Sequence, residues 1–317
     1  MDNGTSIVAG QILEGSIFVF TVLGCFGNSN IVIATIKFKE LQTKCGFLLA
    51  ILACCDGSSL LFECWSGIRL VTDTAAMTQK KCFALQVGYI IVENTGVFMI
   101  LAVSVDRQLA IQTPMKYRHW DTKTYVLRMI VIPVLYGFVY PISTLVVGID
   151  PNEVVGMCNL PTSMPYIVSV YWNYLSTAAC AATVLCYAIT YFMLYKVSPE
   201  KLNAKSSQIM QQRKIVNTLS INVIGFFISS VATALTILYF RNSGASQDVI
   251  DAAETYAAIP GLISFTINYY IYFWRSSDYR KAFSRLLHLE KYFVKEVNIT
   301  VVPQSTAISL QRTLTVA

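Results

Sequence analysis

The chain has 317 residues, of which 55% are hydrophobic and only 13% are charged. Soluble domains usually carry about 25% charged residues, so this composition excludes an ordinary soluble protein and favours a membrane protein with several spans. The formal net charge of +6 comes from Lys and Arg residues clustered between long apolar runs, and it therefore indicates membrane orientation rather than nucleic-acid binding.

Seven apolar runs follow one another along the chain, and each reaches the roughly 20 residues that a membrane-spanning helix needs. Continuous runs of this length indicate helices, because lipid offers no partner to unpaired backbone groups. We therefore predict an all-α membrane protein, a seven-transmembrane helix bundle in one domain over 1–290, with a flexible cytoplasmic tail over 291–317. The predicted spans are 14–37, 45–68, 83–105, 125–147, 165–195, 215–240 and 250–273.

Lys and Arg residues set the predicted orientation. With the amino terminus outside, 20 of them lie on the inner side and only 4 on the outer side, as the positive-inside rule requires. The carboxyl terminus is then cytoplasmic. The start of the chain lacks a basic signal-peptide region, so we expect the first span to act as its own insertion signal. Asn3, in Asn-Gly-Thr, is a candidate glycosylation site, with chance occurrence as the alternative.

Nine cysteines are present, and most fall within the predicted spans. Only Cys82 and Cys158 are clearly in the oxidising compartment. A bond between them would attach the loop between spans 4 and 5 to the outer end of span 3. The alternative is two unrelated free thiols.

A short amphipathic surface helix is predicted over 277–290, after span 7. Its apolar residues recur at helical spacing with basic residues between them, a pattern typical of a helix lying on the inner leaflet. Ser276 or Ser277 is expected to cap it. Hydroxyl residues after 298 are candidate phosphorylation sites, and a merely polar tail is the alternative.

Charged residues inside spans are costly and therefore suggest function. Asp106 and Arg107 lie at the inner end of span 3. If they bond to each other, they stabilise one packing of the bundle; if they separate, Arg107 becomes a donor for a cytosolic partner. The alternative is an arginine that extends to lipid headgroups.

The outer half of span 3 holds a predicted ligand pocket. Glu93 precedes Arg107 by fourteen residues, close to four helical turns, so it shares a face with Gln86 and Tyr89. Two carboxylates there would suit a cationic or hydrogen-bonding ligand, although each carboxylate could instead bond to a neighbouring helix. The candidate ligand-binding residues are Gln86, Tyr89, Glu93, Asn94 and, from span 2, Glu63.

Several of these residues together resemble the rhodopsin-like G-protein-coupled receptors. The cysteine-to-arginine spacing in span 3 matches that family, and Asn268-Tyr-Tyr-Ile-Tyr272 is similar to its N-P-x-x-Y motif. The end of span 7 and the following helix look most like nematode serpentine chemoreceptors of the Srsx class. The motif residues are Gly27, Asn28, Asp56, Cys82, Asp106, Arg107, Gln108, Pro114, Asn268 and Tyr272.

This chain also departs from the family pattern. Gln108 replaces the usual tyrosine, Tyr269 replaces the proline, and span 6 lacks the C-W-x-P motif. Tyr89 stands where amine receptors carry an aspartate, which argues against a biogenic amine bound in that manner. Gly96 stands where a serine often helps to hold sodium, which weakens the case for sodium near Asp56.

The resemblance implies a mechanism and partners. A ligand would bind in the outer half of the bundle, and a heterotrimeric G protein would bind the inner side through Asp106, Arg107 and Pro114. Asn28, Asp56, Asn268 and Tyr272 would form the polar network that rearranges. We expect no cofactor, no resident metal and no nucleic-acid partner, contact with membrane lipid, and arrestin as a candidate partner of a phosphorylated tail. The expected location is the plasma membrane, with the sensory cilium as a candidate compartment.

Three alternatives remain open from the sequence. A neuropeptide-type rhodopsin-like receptor would share most of these motifs. A multi-span transporter or channel would be expected to show inverted repeats or broken helices, which the sequence does not display. An enzyme is not expected, because no nucleophile and base pair can be identified within the spans.

Overall fold

Twelve elements make up the described part of this computed structural model, which covers residues 3–196 and 258–289 together with isolated positions between 216 and 244. Nine are α-helices, and two are short strands. A 3-10 turn at Lys39–Leu41 follows the first helix. The elements are α1 (Asn3–Lys37), α2 (Lys44–Val71), β1 (Met77–Thr78), α3 (Gln79–Gln112), α4 (Pro114–His119), α5 (Thr122–Gly137), α6 (Val139–Val147), β2 (Val154–Val155), α7 (Tyr166–Lys196), α8 (Ala258–Arg275) and α9 (Ser277–Leu286).

Within the described residues, five helical segments are long and apolar enough to cross a membrane. They correspond to the predicted spans 1 to 5 and are formed by α1, α2, α3, the α5–α6 pair and α7. Helix α8 covers most of the predicted span 7. The predicted span 6, over 215–240, lies outside the described residues except for isolated positions. The described helices are those expected of a seven-transmembrane bundle.

Span 4 is not the single continuous helix that the sequence predicted. It breaks at Phe138, between α5 and α6. Pro141 explains the break, because proline has no N–H to donate to the carbonyl of Gly137, four residues before it, and its ring crowds that carbonyl. At the break, the Phe138 N–H bonds to the Leu135 carbonyl at 3.2 Å, in place of regular α-helical pairing.

Helix α3 lies at the centre of the bundle and packs against α2, α5, α6 and α7. Helix α1 packs against α2 and α8. The largest buried apolar cluster includes Ile31, Leu48, Met99 and Phe283, which are all fully buried. Phe283 belongs to α9, so the apolar core continues from the spans into the helix that follows them.

The outer end of α3 is joined to the loop between α6 and α7. Cys82 and Cys158 form a disulfide. Next to it, β1 pairs with β2 in antiparallel register, with Met77 opposite Val155. The Cys158 N–H also donates to the Ala75 carbonyl at 3.0 Å. The loop that the sequence expected above α3 is therefore attached by covalent and backbone bonds.

Helix α9 begins after Ser276, whose hydroxyl accepts the Tyr279 N–H at 3.4 Å. It ends at Leu286, four residues before the predicted boundary, and His288 adopts a left-handed backbone with φ of 57°. Tyr279 and Phe283, which were expected to face lipid, are buried against the bundle. The apolar face of α9 therefore packs on α8, where the rings of Tyr269 and Tyr272 meet those of Phe283 and Tyr279. Helix α9 also contacts α1.

Candidate functional site

The inner end of α3 carries a buried ionic cluster. Asp106 and Arg107 form an ion pair, and both side chains are almost fully buried. Tyr117, on α4, donates its hydroxyl to Asp106 Oδ1 at 2.8 Å and accepts from Arg107 Nη2 at 3.1 Å. Pro114 starts α4, where its missing N–H leaves no helical bond unmade. The structure thus shows Asp106 and Arg107 bonded to each other, the first of the two states that the sequence left open.

Tyr117 was missed by the sequence reasoning because it lies outside the predicted spans. Lys44, at the start of α2, donates to the Tyr117 carbonyl at 2.6 Å and lies 4.6 Å from the centre of its ring. Burial raises the pKa of Tyr117, so the hydroxyl stays protonated and keeps its donor. The one sequence feature that could have pointed to Tyr117 is its place ten residues after Arg107.

The residues of the predicted polar network lie in the middle of the bundle, where Asp56 and Asn268 bond to each other. Asn268 Nδ2 donates to Asp56 Oδ2 at 2.8 Å, and Asn28 Nδ2 donates to the Phe265 carbonyl at 3.0 Å. Tyr272, Asp56 and Asn268 line one small cavity in the middle of the bundle. Tyr272 also stacks on Tyr279 of α9, with ring centres 5.1 Å apart. The network residues therefore connect α1, α2, α8 and α9.

The residues around Asp56 fit sodium poorly. Gly96 supplies no side-chain oxygen, and a Cβ built there would meet the Cβ of Cys55 at 3.5 Å rather than a polar atom. Within the described part of the chain, no group of three His, Cys, Asp or Glu residues could hold a metal ion. The expectation of no resident metal stays a prediction, and no functional step is derived from sodium.

The outer half of the bundle brings together the candidate ligand residues of α2 and α3. Tyr89 donates its hydroxyl to Glu63 Oε1 at 2.5 Å, and its ring stacks on Phe62 with centres 5.6 Å apart. Gln86 Nε2 donates to the hydroxyl of Ser66 at 3.3 Å. Glu63 therefore bonds to a neighbouring helix, the alternative that the sequence had left open for it.

Glu93 lies one position before Asn94, on the side of α3 that meets α7. Asn94 is fully buried and accepts from Trp172 Nε1 at 3.1 Å. The Trp172 indole also lies within reach of the Glu93 carboxylate, but the buried Oε2 atom of Glu93 has no well-formed hydrogen bond among the described residues. Trp172, on α7, was not predicted, because a tryptophan in an apolar run gives no signal of its polar role.

Asn3 lies in the first turn of α1, and the structure describes only its backbone. The predicted tail over 291–317 lies outside the described residues. Glycosylation at Asn3 and phosphorylation of the tail stay predictions.

The chain is similar to known receptors. Residues 21–287 match the family model described as serpentine type 7TM GPCR chemoreceptor Srsx. Trace amine-associated receptor 9 of Homo sapiens is 23% identical over 237 residues, which cover 66% of this chain and 65% of that receptor. Adenosine receptor A2b of Rattus norvegicus is 21% identical over 297 residues, covering 85% of this chain and 87% of that receptor. The chain thus spans slightly less than two thirds of the human receptor's length.

Proposed function

The chain belongs to the family of serpentine seven-transmembrane Srsx chemoreceptors, and from that premise we propose that it is a chemosensory G-protein-coupled receptor of the plasma membrane. An extracellular small molecule or peptide would bind in the outer half of the bundle. A heterotrimeric G protein would bind the cytoplasmic ends of the helices. The sensory cilium is the compartment that fits a chemosensory role.

The buried Glu93 carboxylate is the observation that carries the proposal. Its Oε2 atom has no well-formed hydrogen bond among the described residues. A buried carboxylate oxygen without a hydrogen bond is destabilising, so such an atom is a candidate for pairing with a bound molecule. A ligand that offers a cationic or N–H group would supply that bond. Tyr89, Asn94, Gln86 and Glu63 would line the same pocket.

The inner cluster supports a resting state. In the structure, Asp106 and Tyr117 both bond to Arg107, so the arginine faces the protein rather than a partner. An agonist acts only through a difference in affinity between two states. We propose that the agonist favours a state in which this cluster opens and Arg107 becomes available to the G protein.

The middle of the bundle offers a route between the two sites. Asp56, Asn268 and Tyr272 line one cavity, and Tyr272 contacts α9 on the inner side. A rearrangement of these residues would couple the outer pocket to the inner cluster. Coupling of this kind is reciprocal, so a bound G protein would raise agonist affinity.

The experiment is a ligand screen in cells that report on several classes of Gα subunit. Wild-type receptor should respond to at least one chemosensory compound. Arg107→Ala should abolish the response while keeping its surface level and ligand binding. A response that persists in Arg107→Ala, or ligand-driven current or uptake in cells without G protein, would contradict the proposal and favour a transporter or channel.

A further inference from the structure

A buried arginine lies at the outer end of α2, close to the candidate pocket. Arg69 is in the last turn of α2, and only 7% of it is exposed. Its Nη2 donates to the hydroxyl of Ser66 at 2.9 Å, and Gln86 of α3 donates to the same hydroxyl at 3.3 Å. Ser66 therefore holds Arg69 and Gln86 together between the two helices.

Most of the guanidinium has no acceptor. Its Nε and Nη1 atoms are buried, and neither has a hydrogen-bond partner among the described residues. In the part of the chain that the structure describes, no carboxylate oxygen lies within the 4.0 Å of an ion pair with Arg69. A guanidinium stays charged and has N–H donors in a fixed planar fork. Burying such donors unpaired is destabilising, and the arrangement is therefore incomplete as it stands.

The end of α2 does not account for these donors. A cation in the last turn is favoured by the helix dipole, which explains a positive charge at this place. However, the Arg69 and Ile68 carbonyls already accept backbone N–H groups from Thr74 and Thr72 at 2.9 Å and 3.0 Å. The dipole thus explains the charge of Arg69 but leaves Nε and Nη1 without acceptors.

We propose that Arg69 binds a carboxylate group of the receptor's ligand, an inference that rests on the proposed function of the outer pocket. A carboxylate matches the planar fork of a guanidinium and accepts two bonds from it. Glu63 acts electrostatically on Arg69 and occupies, with Glu93, the same half of the bundle, so the anionic group that Arg69 binds should carry no more than one negative charge. A doubly charged phosphate would be repelled more strongly by these carboxylates.

The same geometry defines the rest of the ligand. Arg69 lies at the level of Gln86, and Glu93 follows Gln86 by seven residues of α3. At the rise of an α-helix, this places the two sites about 10 Å apart along the bundle. An amphoteric ligand fits both sites, with its acid at Arg69 and its amine or other donor at Glu93.

Thermal unfolding of the purified full chain in lipid nanodiscs tests the proposal without any G protein. The probes are ω-aminooctanoate, which matches the separation when extended, its amide ω-aminooctanamide, and the shorter ω-aminobutanoate. At ten times the dissociation constant, a bound ligand should raise the unfolding temperature by about 3 °C. We expect ω-aminooctanoate to stabilise wild-type receptor more than either other probe.

The variants separate a carboxylate site from a structural role. In Arg69→Gln, ω-aminooctanoate and its amide should raise the unfolding temperature equally. Arg69→Lys should keep part of the preference for the acid, because lysine keeps the positive charge but lacks the planar guanidinium. Lys80→Gln, at an exposed lysine near the start of α3, should behave as wild type. If Arg69→Gln does not fold, the test is the difference in stabilisation between acid and amide, compared between wild type and Arg69→Lys.

Three results would overturn the proposal. They are equal stabilisation of wild type by acid and amide, no stabilisation of wild type by any carboxylate probe at millimolar concentration, and an acid preference that survives in Arg69→Gln. Failure of the proposed function looks different. In that case the acid would still stabilise the receptor, but no compound would drive nucleotide exchange on any G protein.

Discussion

Gly27 of α1 lies directly against Tyr269 of α8. A Cβ at position 27 would be 2.6 Å from the Cβ of Tyr269, closer than two carbon atoms can approach without a shift. The Tyr269 ring also packs against Phe283 of α9, with ring centres 4.5 Å apart. The missing side chain of Gly27 therefore makes room for a large aromatic residue at the position where the resemblance leads one to expect proline.

Gly27→Ala should destabilise the receptor. The added methyl group overfills a packed contact, at a cost of about 1–3 kcal/mol. Thermal unfolding of purified receptor measures this. Gly15→Ala is the matched control, because nothing lies within 4 Å of a Cβ at that position of the same helix. Tyr269→Gly, which removes the Cβ that the new methyl group would meet, should relieve the effect of Gly27→Ala, and a cost that remains unchanged in the double variant would contradict the contact.

Tyr117→Phe should raise basal nucleotide exchange on the G protein. The change removes the hydroxyl that bonds to both Asp106 and Arg107. Hydrogen bonds to charged groups contribute about 1.5–3 kcal/mol, so the resting cluster should open more often. The assay compares ligand-free exchange at equal receptor concentration.

Tyr125→Phe is the control for that variant. The Tyr125 ring packs against Tyr117 at 5.6 Å, and its buried hydroxyl lies near Asp106 but makes no well-formed hydrogen bond among the described residues. Its basal exchange should rise less than that of Tyr117→Phe. Equal basal activity in Tyr117→Phe and Tyr125→Phe would show that the hydroxyl of Tyr117 does not hold the resting state.

Glu93→Gln should lower agonist potency by about tenfold or more, because a hydrogen bond to a charged group contributes about 1.5–3 kcal/mol. The measurement is a concentration-response curve corrected for surface level. Glu153→Gln, at an exposed residue of the loop between α6 and α7, should leave potency unchanged. Equal potency in wild type and Glu93→Gln would remove Glu93 from the ligand pocket.

Cys158→Ser should destabilise the outer end of the receptor by about 2–4 kcal/mol, since the bond between Cys82 and Cys158 closes a loop with a sequence separation of 76. The pairing of β1 with β2 should weaken with it. Hydrogen exchange of this region and thermal unfolding measure the effect. Cys54→Ser, at an exposed free cysteine, should leave both unchanged.

Asp121 should make the unfolding temperature depend on pH. The Thr124 backbone N–H and hydroxyl both donate to Asp121 and hold its pKa below the usual value. A lowered pKa in the folded state means that the stabilisation is present above the unfolded pKa of about 3.9 and is lost as the pH falls through the folded value. Asp121→Asn keeps a capping side chain but no charge, so its unfolding temperature should fall less between about pH 5 and pH 3. Parallel pH profiles would argue against this role.

Much of the candidate site could be predicted from local sequence. The length and hydropathy of the runs placed five helices near their observed positions, and helical spacing placed Glu93, Tyr89 and Gln86 along α3. Compartment logic paired Cys82 with Cys158. Each of these predictions depends on the geometry of a single helix or on the side of the membrane on which a residue lies. Both can be read from the amino-acid sequence.

The position of the break in span 4 could not be predicted from local sequence. Pro133 and Pro141 were both visible in the run, but Pro133 is accommodated within α5, whereas the helix breaks before Pro141. A proline in an apolar run can kink a helix or end it, and the surrounding packing selects between these outcomes. Sequence alone gave no basis for that choice.

By itself, the sequence determined which segments form helices and which side chains share a face of α3, because both follow from the repeat of a single helix. Only the tertiary structure decided which residues meet across helices: Tyr117 with Asp106, Trp172 with Asn94, and Tyr269 with Gly27. Those contacts depend on how each helix is rotated and tilted against its neighbours. Rotation and tilt are set by the packing of the whole bundle, and no single stretch of sequence contains them.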